Sequence, residues 1–112
     1  MKLPNGDKAI VPMEKLTRYC LDFESVDGKH KARMFRNKLG LIKTDALILR
    51  DTLLKVAREN DALHIKTNKF GEYYTIAFKL SFNNKTATVL SAWFINNDTI
   101  IPRLITCYIK EL

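Results

Sequence analysis

The hydrophobic period of this chain changes once, just after Asp61, and that change restricts the fold more than any other feature of the sequence. Before it, apolar residues recur every three or four positions, the spacing of a helix with one buried stripe; after it, they alternate, the spacing of a strand with one buried face. Tyr74, Ile76, Phe78, Leu80 and Phe82 alternate with Tyr73, Thr75, Ala77, Lys79 and Ser81, the cleanest such run in the chain. Helices first and strands after predict an α+β domain: three N-terminal helices, then a roughly four-stranded antiparallel β-meander with one face under the helices.

Residues Met1 to Val11 read as an irregular lead-in with a turn at Asn5-Gly6-Asp7. Pro12 suits the start of a first helix to Leu21, with Met13, Leu16 and Cys20 as its apolar stripe. A second helix is predicted over Gly28 to Leu39, with Asp27 as N-cap and Gly40 as terminator. Thr44 or Asp45 caps a third, to about Asn60, whose apolar arc is Ala46, Leu49, Leu53, Leu54 and Ala57. A first strand follows in which Leu63 and Ile65 alternate with His64 and Lys66, then a turn at Lys69-Phe70-Gly71-Glu72. Asn83-Asn84-Lys85 is a hairpin turn, Thr86 to Ile95 a third strand, Asn96-Asn97-Asp98 a turn, and Ile101 to Lys110 a fourth strand. The last two strands are apolar on both faces. Under strict alternation Leu104, Thr106 and Tyr108 point one way and Arg103, Ile105 and Cys107 the other; only a bulge near Pro102, or an arginine reaching round the sheet, brings Arg103 and Thr106 together.

At 112 residues and 46% hydrophobic, residues 1–112 form one domain with a proper core. No apolar run approaches the ~20 residues of a membrane span, and Met1 to Gly6 lack the apolar stretch of a signal peptide. The expectation is a cytoplasmic protein, or a domain carried to the cytoplasm by a larger secreted polypeptide. Cys20 and Cys107 lie among apolar neighbours and outside any zinc-like spacing, so they read as buried thiols, with a disulfide between them left open but not required, and neither a metal nor another cofactor is called for. Nineteen cations against twelve acids, a formal charge of +7, favour a polyanionic partner, nucleic acid first, an acidic protein second and an anionic membrane surface third.

The charge is densest in Gly28-Lys29-His30-Lys31-Ala32-Arg33-Met34-Phe35-Arg36. At about 100° per residue Ala32, Phe35 and Leu39 share the core-facing stripe, while His30, Arg33 and Asn37 lie together on the opposite side and Lys31 falls nearer the edge of the stripe. An imidazole able to titrate near neutrality, beside a guanidinium one turn along, can work on a phosphate.

The helix motif Gly28 to Phe35 with Leu39-Gly40, Trp93, and the terminal Pro102-Arg103-Leu104-Ile105-Thr106-Cys107-Tyr108 together resemble a small bacterial family of uncharacterised domains, and Leu3-Pro4-Asn5 through Ala9-Ile10-Val11 add to the pattern. That family occurs alone, in mobile elements and at the C-termini of large polymorphic toxins. Its layout is similar to the barnase–EndoU–colicin–RelE group of toxin ribonucleases, which cleave RNA without metal using residues of the second helix and the late strands. At the matching positions the resemblance implies catalytic roles for His30, Lys31, Arg33, Thr106 and Tyr108, and RNA contacts through Arg103. Arg36, Lys79 and Trp93 are further candidates for binding RNA, and Trp93 or Tyr73 for stacking on a base. His64 lies outside the motifs and receives no role.

Cleavage of this kind needs a base for the 2′-OH, an acid for the leaving oxygen and cations for the pentavalent phosphorus. On the roles the resemblance implies, His30 is expected as the acid or base, Lys31 and Arg33 as phosphate stabilisers, and Thr106 and Tyr108 as the groups that position it. Transfer RNA or ribosome-associated RNA is the expected substrate, with an acidic immunity or antitoxin protein as the expected inhibitor. Two other readings fit the same residues: a non-catalytic basic module that binds nucleic acid, and an interaction domain of a phage- or secretion-associated protein. The oligomeric state is not specified by the sequence.

Overall fold

The computed structural model describes residues 1–111. A 3₁₀ turn at Gly6–Lys8 leads to α1 (Met13–Lys15), which continues as a π-helical turn over Leu16–Cys20. Then come α2 (Lys29–Leu39), a 3₁₀ turn at Lys43–Asp45 and α3 (Ala46–Glu59). Four strands follow: β1 (Leu63–Asn68), β2 (Gly71–Phe82), β3 (Lys85–Asn96) and β4 (Pro102–Ile109). They form one antiparallel sheet in the order β1-β2-β3-β4, so the α+β meander read from the change of period is the observed fold.

The first helix differs from the expected continuous α-helix. After one α-helical turn the chain widens, and the Leu21 amide donates to Leu16 O over five residues. Leu16 and Cys20 are buried, as the stripe predicts. In α2 the predicted stripe of Ala32, Phe35 and Leu39 is buried. Its N-terminus is not capped by Asp27: Gly28 is the cap residue, and its amide donates to Ser25 Oγ at 3.0 Å. At the other end Gly40 adopts φ 65°, the left-handed conformation that glycine takes without a Cβ penalty. Asn83, in the β2–β3 turn, donates its side-chain amide to Leu39 O at 3.0 Å and Gly40 O at 3.3 Å, so the hairpin tip seals the end of α2.

That hairpin is built on two residues, Asn83 (φ 55°) and Asn84 (φ 60°), with Phe82 paired to Lys85. Two consecutive positive φ angles match the right-handed twist of the flanking strands, and asparagine tolerates them better than most residues. Tyr74, Ile76, Phe78 and Leu80 of β2 and Val89, Trp93 and Ile95 of β3 face the helices together with buried Phe35, Leu49, Leu53 and Leu104. Buried Ser91 sits in this layer; its hydroxyl donates to Ile76 O and accepts from the Trp93 indole, each at 2.9 Å.

Two strands depart from simple alternation. All of β1 is exposed, because the helices pack on β2, β3 and β4 and leave β1 uncovered, and its register slips between His64 and Lys66. In β4 the register skips one residue: Ala92 stands opposite Thr106 and Trp93 opposite Leu104, leaving Ile105 as an extra residue. The bulge lies between Arg103 and Thr106, not at Pro102. It resets the parity, so Arg103, Thr106 and Tyr108 stand opposite Phe94, Ala92 and Leu90, while Leu104, Cys107 and Ile109 are buried.

Candidate functional site

The helix motif and the terminal-strand motif meet where α2 packs against β4. Lys31 is half-buried at the edge of the apolar stripe, and its ammonium donates to Thr106 Oγ1 at 2.8 Å. The same ammonium lies 5.7 Å from the centre of the Tyr108 ring, within cation–π range. His30, exposed on the next position of α2, lines a cleft of about 350 Å³ together with Lys31, Met34, Tyr108, Ile109 and Glu111. The bulge at Ile105 matters here, because it lets Leu104 and Cys107 both enter the core and turns Thr106 and Tyr108 to the side of β4 that Arg103 shares.

Beneath this cleft Thr106 Oγ1 is also 3.7 Å from Cys20 Sγ. The Cys20 thiol is lowered to about 6, chiefly by hydrogen bonding from the Cys107 thiol, against the opposing effect of burial; the Cys107 amide, Thr106 and the charge of Lys31 add to the lowering. Cys107 is pushed well up by the same pairing and by burial. Both cysteines are free thiols, as their apolar surroundings suggest. The cleft therefore rests on a polar chain, Lys31–Thr106–Cys20, set into an otherwise apolar layer. Among the described residues no group of three or more His, Cys, Asp or Glu is placed to hold a metal ion.

A second cleft of about 600 Å³ shares Ile109 and Glu111 with the first and adds Lys38, Lys79 and Lys110. The two make a basic groove along the open end of β4. Lys79 thus joins the site through a shared wall. Lys38 and Lys110 were missed in the sequence because neither lies in a motif; only folding puts the end of α2 beside the end of β4. Glu111 is an acidic residue in this groove, and it opposes phosphate at that wall.

The other candidates lie elsewhere. Arg33 is exposed on α2 and does not line the His30 cleft. Arg36 stacks on Phe23, its guanidinium 4.9 Å from the ring centre. Arg103 lines a separate cleft of about 490 Å³ with Phe94 and Asn96. Trp93 departs from the expected RNA contact: it is 0% exposed and its indole donates to Ser91, so its ring is core and cannot stack on a base. Its neighbour Phe94 faces the other side of the sheet and packs on Tyr73 at 4.7 Å. The sequence could not choose between them, because β3 is apolar on both faces. His64 is held by Thr67 Oγ1 at 3.0 Å, Glu72 at 3.4 Å and the Tyr74 ring edge-on, a structural setting.

The fold is shared with a solved structure described as a contact-dependent growth inhibition toxin–immunity protein complex from Klebsiella pneumoniae 342. The similarity has a TM-score of 0.66 over 90% of this chain and 99% of the matched chain, at 14% sequence identity. No curated protein matches the sequence. One family pattern does, over residues 2–111, and it takes in both motifs that meet at the α2–β4 cleft: the chain belongs to the family described as Domain of unknown function (DUF6883).

Proposed function

We propose that this chain is a toxin-type endoribonuclease domain that cleaves RNA without metal, by attack of a ribose 2′-OH on the adjacent phosphorus. The observation that carries the reading is the 2.8 Å bond between Lys31 and Thr106, which joins the two motifs, with His30 and Tyr108 in the same cleft. His30 is exposed and free to exchange protons with a substrate bound there. Lys31 supplies a fixed positive charge for the pentavalent centre. Thr106 accepts from Lys31 and so aims the ammonium, while its own O–H is left to donate to Cys20 Sγ or to a phosphate. The Tyr108 hydroxyl is the second proton-bearing group at the site. Lys38, Lys79 and Lys110 hold flanking phosphates, and Arg33 adds charge from the exposed side of α2.

The matched structure is a toxin–immunity complex, which supports an inhibitory protein as partner here too. An acidic protein fits the +7 charge of this chain and would be captured quickly by electrostatic steering. The place of action is the cytoplasm, reached directly or by delivery on a larger polypeptide, with transfer RNA or ribosome-associated RNA as substrate.

The test is incubation of the purified protein with total RNA in the presence of EDTA, followed by mapping of the product ends. Cyclic phosphate and 5′-OH ends that disappear in His30→Ala are the expected result. Absence of cleavage by the wild type against every RNA overturns the reading. Salt-dependent RNA binding that His30→Ala leaves intact, with no products, identifies a non-catalytic basic module instead.

A further inference from the structure

The face of the sheet turned away from the helices carries a row of four residues, one from each strand. Lys66 of β1 stands opposite Tyr73 of β2, Tyr73 opposite Phe94 of β3, and Phe94 opposite Arg103 of β4. The Lys66 ammonium lies 4.7 Å from the Tyr73 ring centre. The Tyr73 and Phe94 rings are 4.7 Å apart and tilted by 41°. Both rings are half-buried, and both cations are exposed. With strands ~4.8 Å apart, the backbones that carry the two cations are about 14 Å apart across the row, with the aromatic pair between them.

Beyond Phe94 and Arg103 the surface sinks into the 490 Å³ cleft, whose walls include Asn96, Asp98 and Thr99. The chemistry of the row is divided. Its ends attract anions and its middle offers π-faces, the combination that holds single-stranded nucleic acid by its backbone and its bases together. Asp98 repels phosphate but accepts hydrogen bonds from exocyclic amines, so the cleft suits a base edge.

We propose that this face is a docking platform for single-stranded nucleic acid, with a base stacked on Phe94, Lys66 swinging from the Tyr73 ring onto a phosphate so that this ring takes a second base, Arg103 holding a further phosphate, and an unpaired base entering the cleft beside Asn96 and Asp98. The platform does not depend on cleavage at the α2–β4 groove, and a protein without catalytic activity would carry it equally. It discriminates against duplexes, whose bases are already stacked on one another and cannot present a free face to the rings.

The test uses a fluorescently labelled single strand with 2′-O-methyl riboses, which has no 2′-OH to attack, and the same sequence as a duplex. Binding is followed by anisotropy as salt is raised. The single strand is expected to bind more tightly than the duplex. Phe94→Leu keeps the apolar bulk but removes the aromatic face, and should weaken single-strand binding roughly 5- to 100-fold with an unchanged salt slope. Arg103→Gln should weaken binding and reduce the salt slope by about one phosphate contact. Trp93 emission reports whether each variant retains its core. Equal affinity for duplex and single strand, wild-type binding by folded Phe94→Leu, or no binding at low salt each overturns the proposal. Because the probe cannot be cleaved, failure of the ribonuclease reading leaves this result intact, and the reverse also holds.

Discussion

Lys31 Nζ donates to Thr106 Oγ1 at 2.8 Å, linking residues 75 positions apart in the chain. This bond turns two separate sequence motifs into one site. Its strength is modest on its own, since a net hydrogen bond to a charged group contributes about 1.5–3 kcal/mol. Its value is directional: a lysine at the edge of an apolar stripe would otherwise sweep through solvent. Lys31→Met keeps the apolar stem and removes the charge. It should cost at most about 3 kcal/mol in urea unfolding and, on the proposed ribonuclease reading, abolish cleavage of RNA by the folded protein.

Asn83 does two jobs, holding a left-handed turn position and donating to Leu39 O and Gly40 O. Asn83→Gly keeps the conformation and loses the bonds, for a cost of about 1 kcal/mol. Asn83→Ala loses both and should cost about 1 kcal/mol more. The order Asn, Gly, Ala in thermal midpoint checks the assignment.

Gly28, where the sequence starts the second helix, has a φ of −105° that needs no glycine. The requirement is space: a Cβ there would lie 2.1 Å from the Tyr19 carbonyl oxygen. Since that oxygen is backbone, relief means moving the end of the π turn. Gly28→Ala should destabilise by about 1–3 kcal/mol or more, measured by urea unfolding, with a larger effect than alanine at exposed Lys29.

Ser91 is the buried polar residue between two strands, and the Trp93 indole depends on it. Ser91→Ala leaves a buried N–H without its partner and should cost about 1–3 kcal/mol. Ser91→Thr preserves the hydroxyl at the expense of one extra methyl in a packed layer. A red or blue displacement of Trp93 emission in Ser91→Ala, with none in an exposed Ser81→Ala control, would accompany the loss.

The lowered Cys20 thiol makes a pH prediction. Its value in the folded protein is about 6, below the ordinary thiol near 9, so the folded state binds fewer protons than the unfolded one between those limits. Stability from this group is fully present above the unfolded value and is lost as pH falls through about 6. Cys107, raised by the same pairing, acts in the opposite sense and removes stability as pH climbs past the ordinary thiol value. Thiolate absorbance in the ultraviolet should therefore rise near pH 6 in the wild type, and Cys20→Ser should abolish that step.

Much of the molecule could be read before folding. The stripe Ala32, Phe35, Leu39 and the alternation through Tyr74 to Leu80 are local patterns, and each dictates which face an element buries. Asn83-Asn84 specifies its turn for the same reason, since the backbone preference resides in the residues themselves. The first strand misled, because alternation in Leu63 to Lys66 says that one face can be buried but not that anything covers it. Trp93 and Phe94 were indistinguishable, since an apolar residue on each face of β3 hides the parity.

By itself, then, the sequence determined the change from helices to meander, the buried side of α2 and β2, the two-residue hairpin, and a basic chain suited to polyanions. Only the tertiary structure decided that Ile105 bulges, that Thr106 thereby meets Lys31 while Cys107 enters the core, that Lys38 and Lys110 border one groove, and that Lys66, Tyr73, Phe94 and Arg103 fall into line. The reason is range. Periodicity and turn preference are set by neighbours a few residues away, whereas register and the meeting of elements are set by packing between segments far apart in the chain, where a one-residue slip reassigns every side chain beyond it.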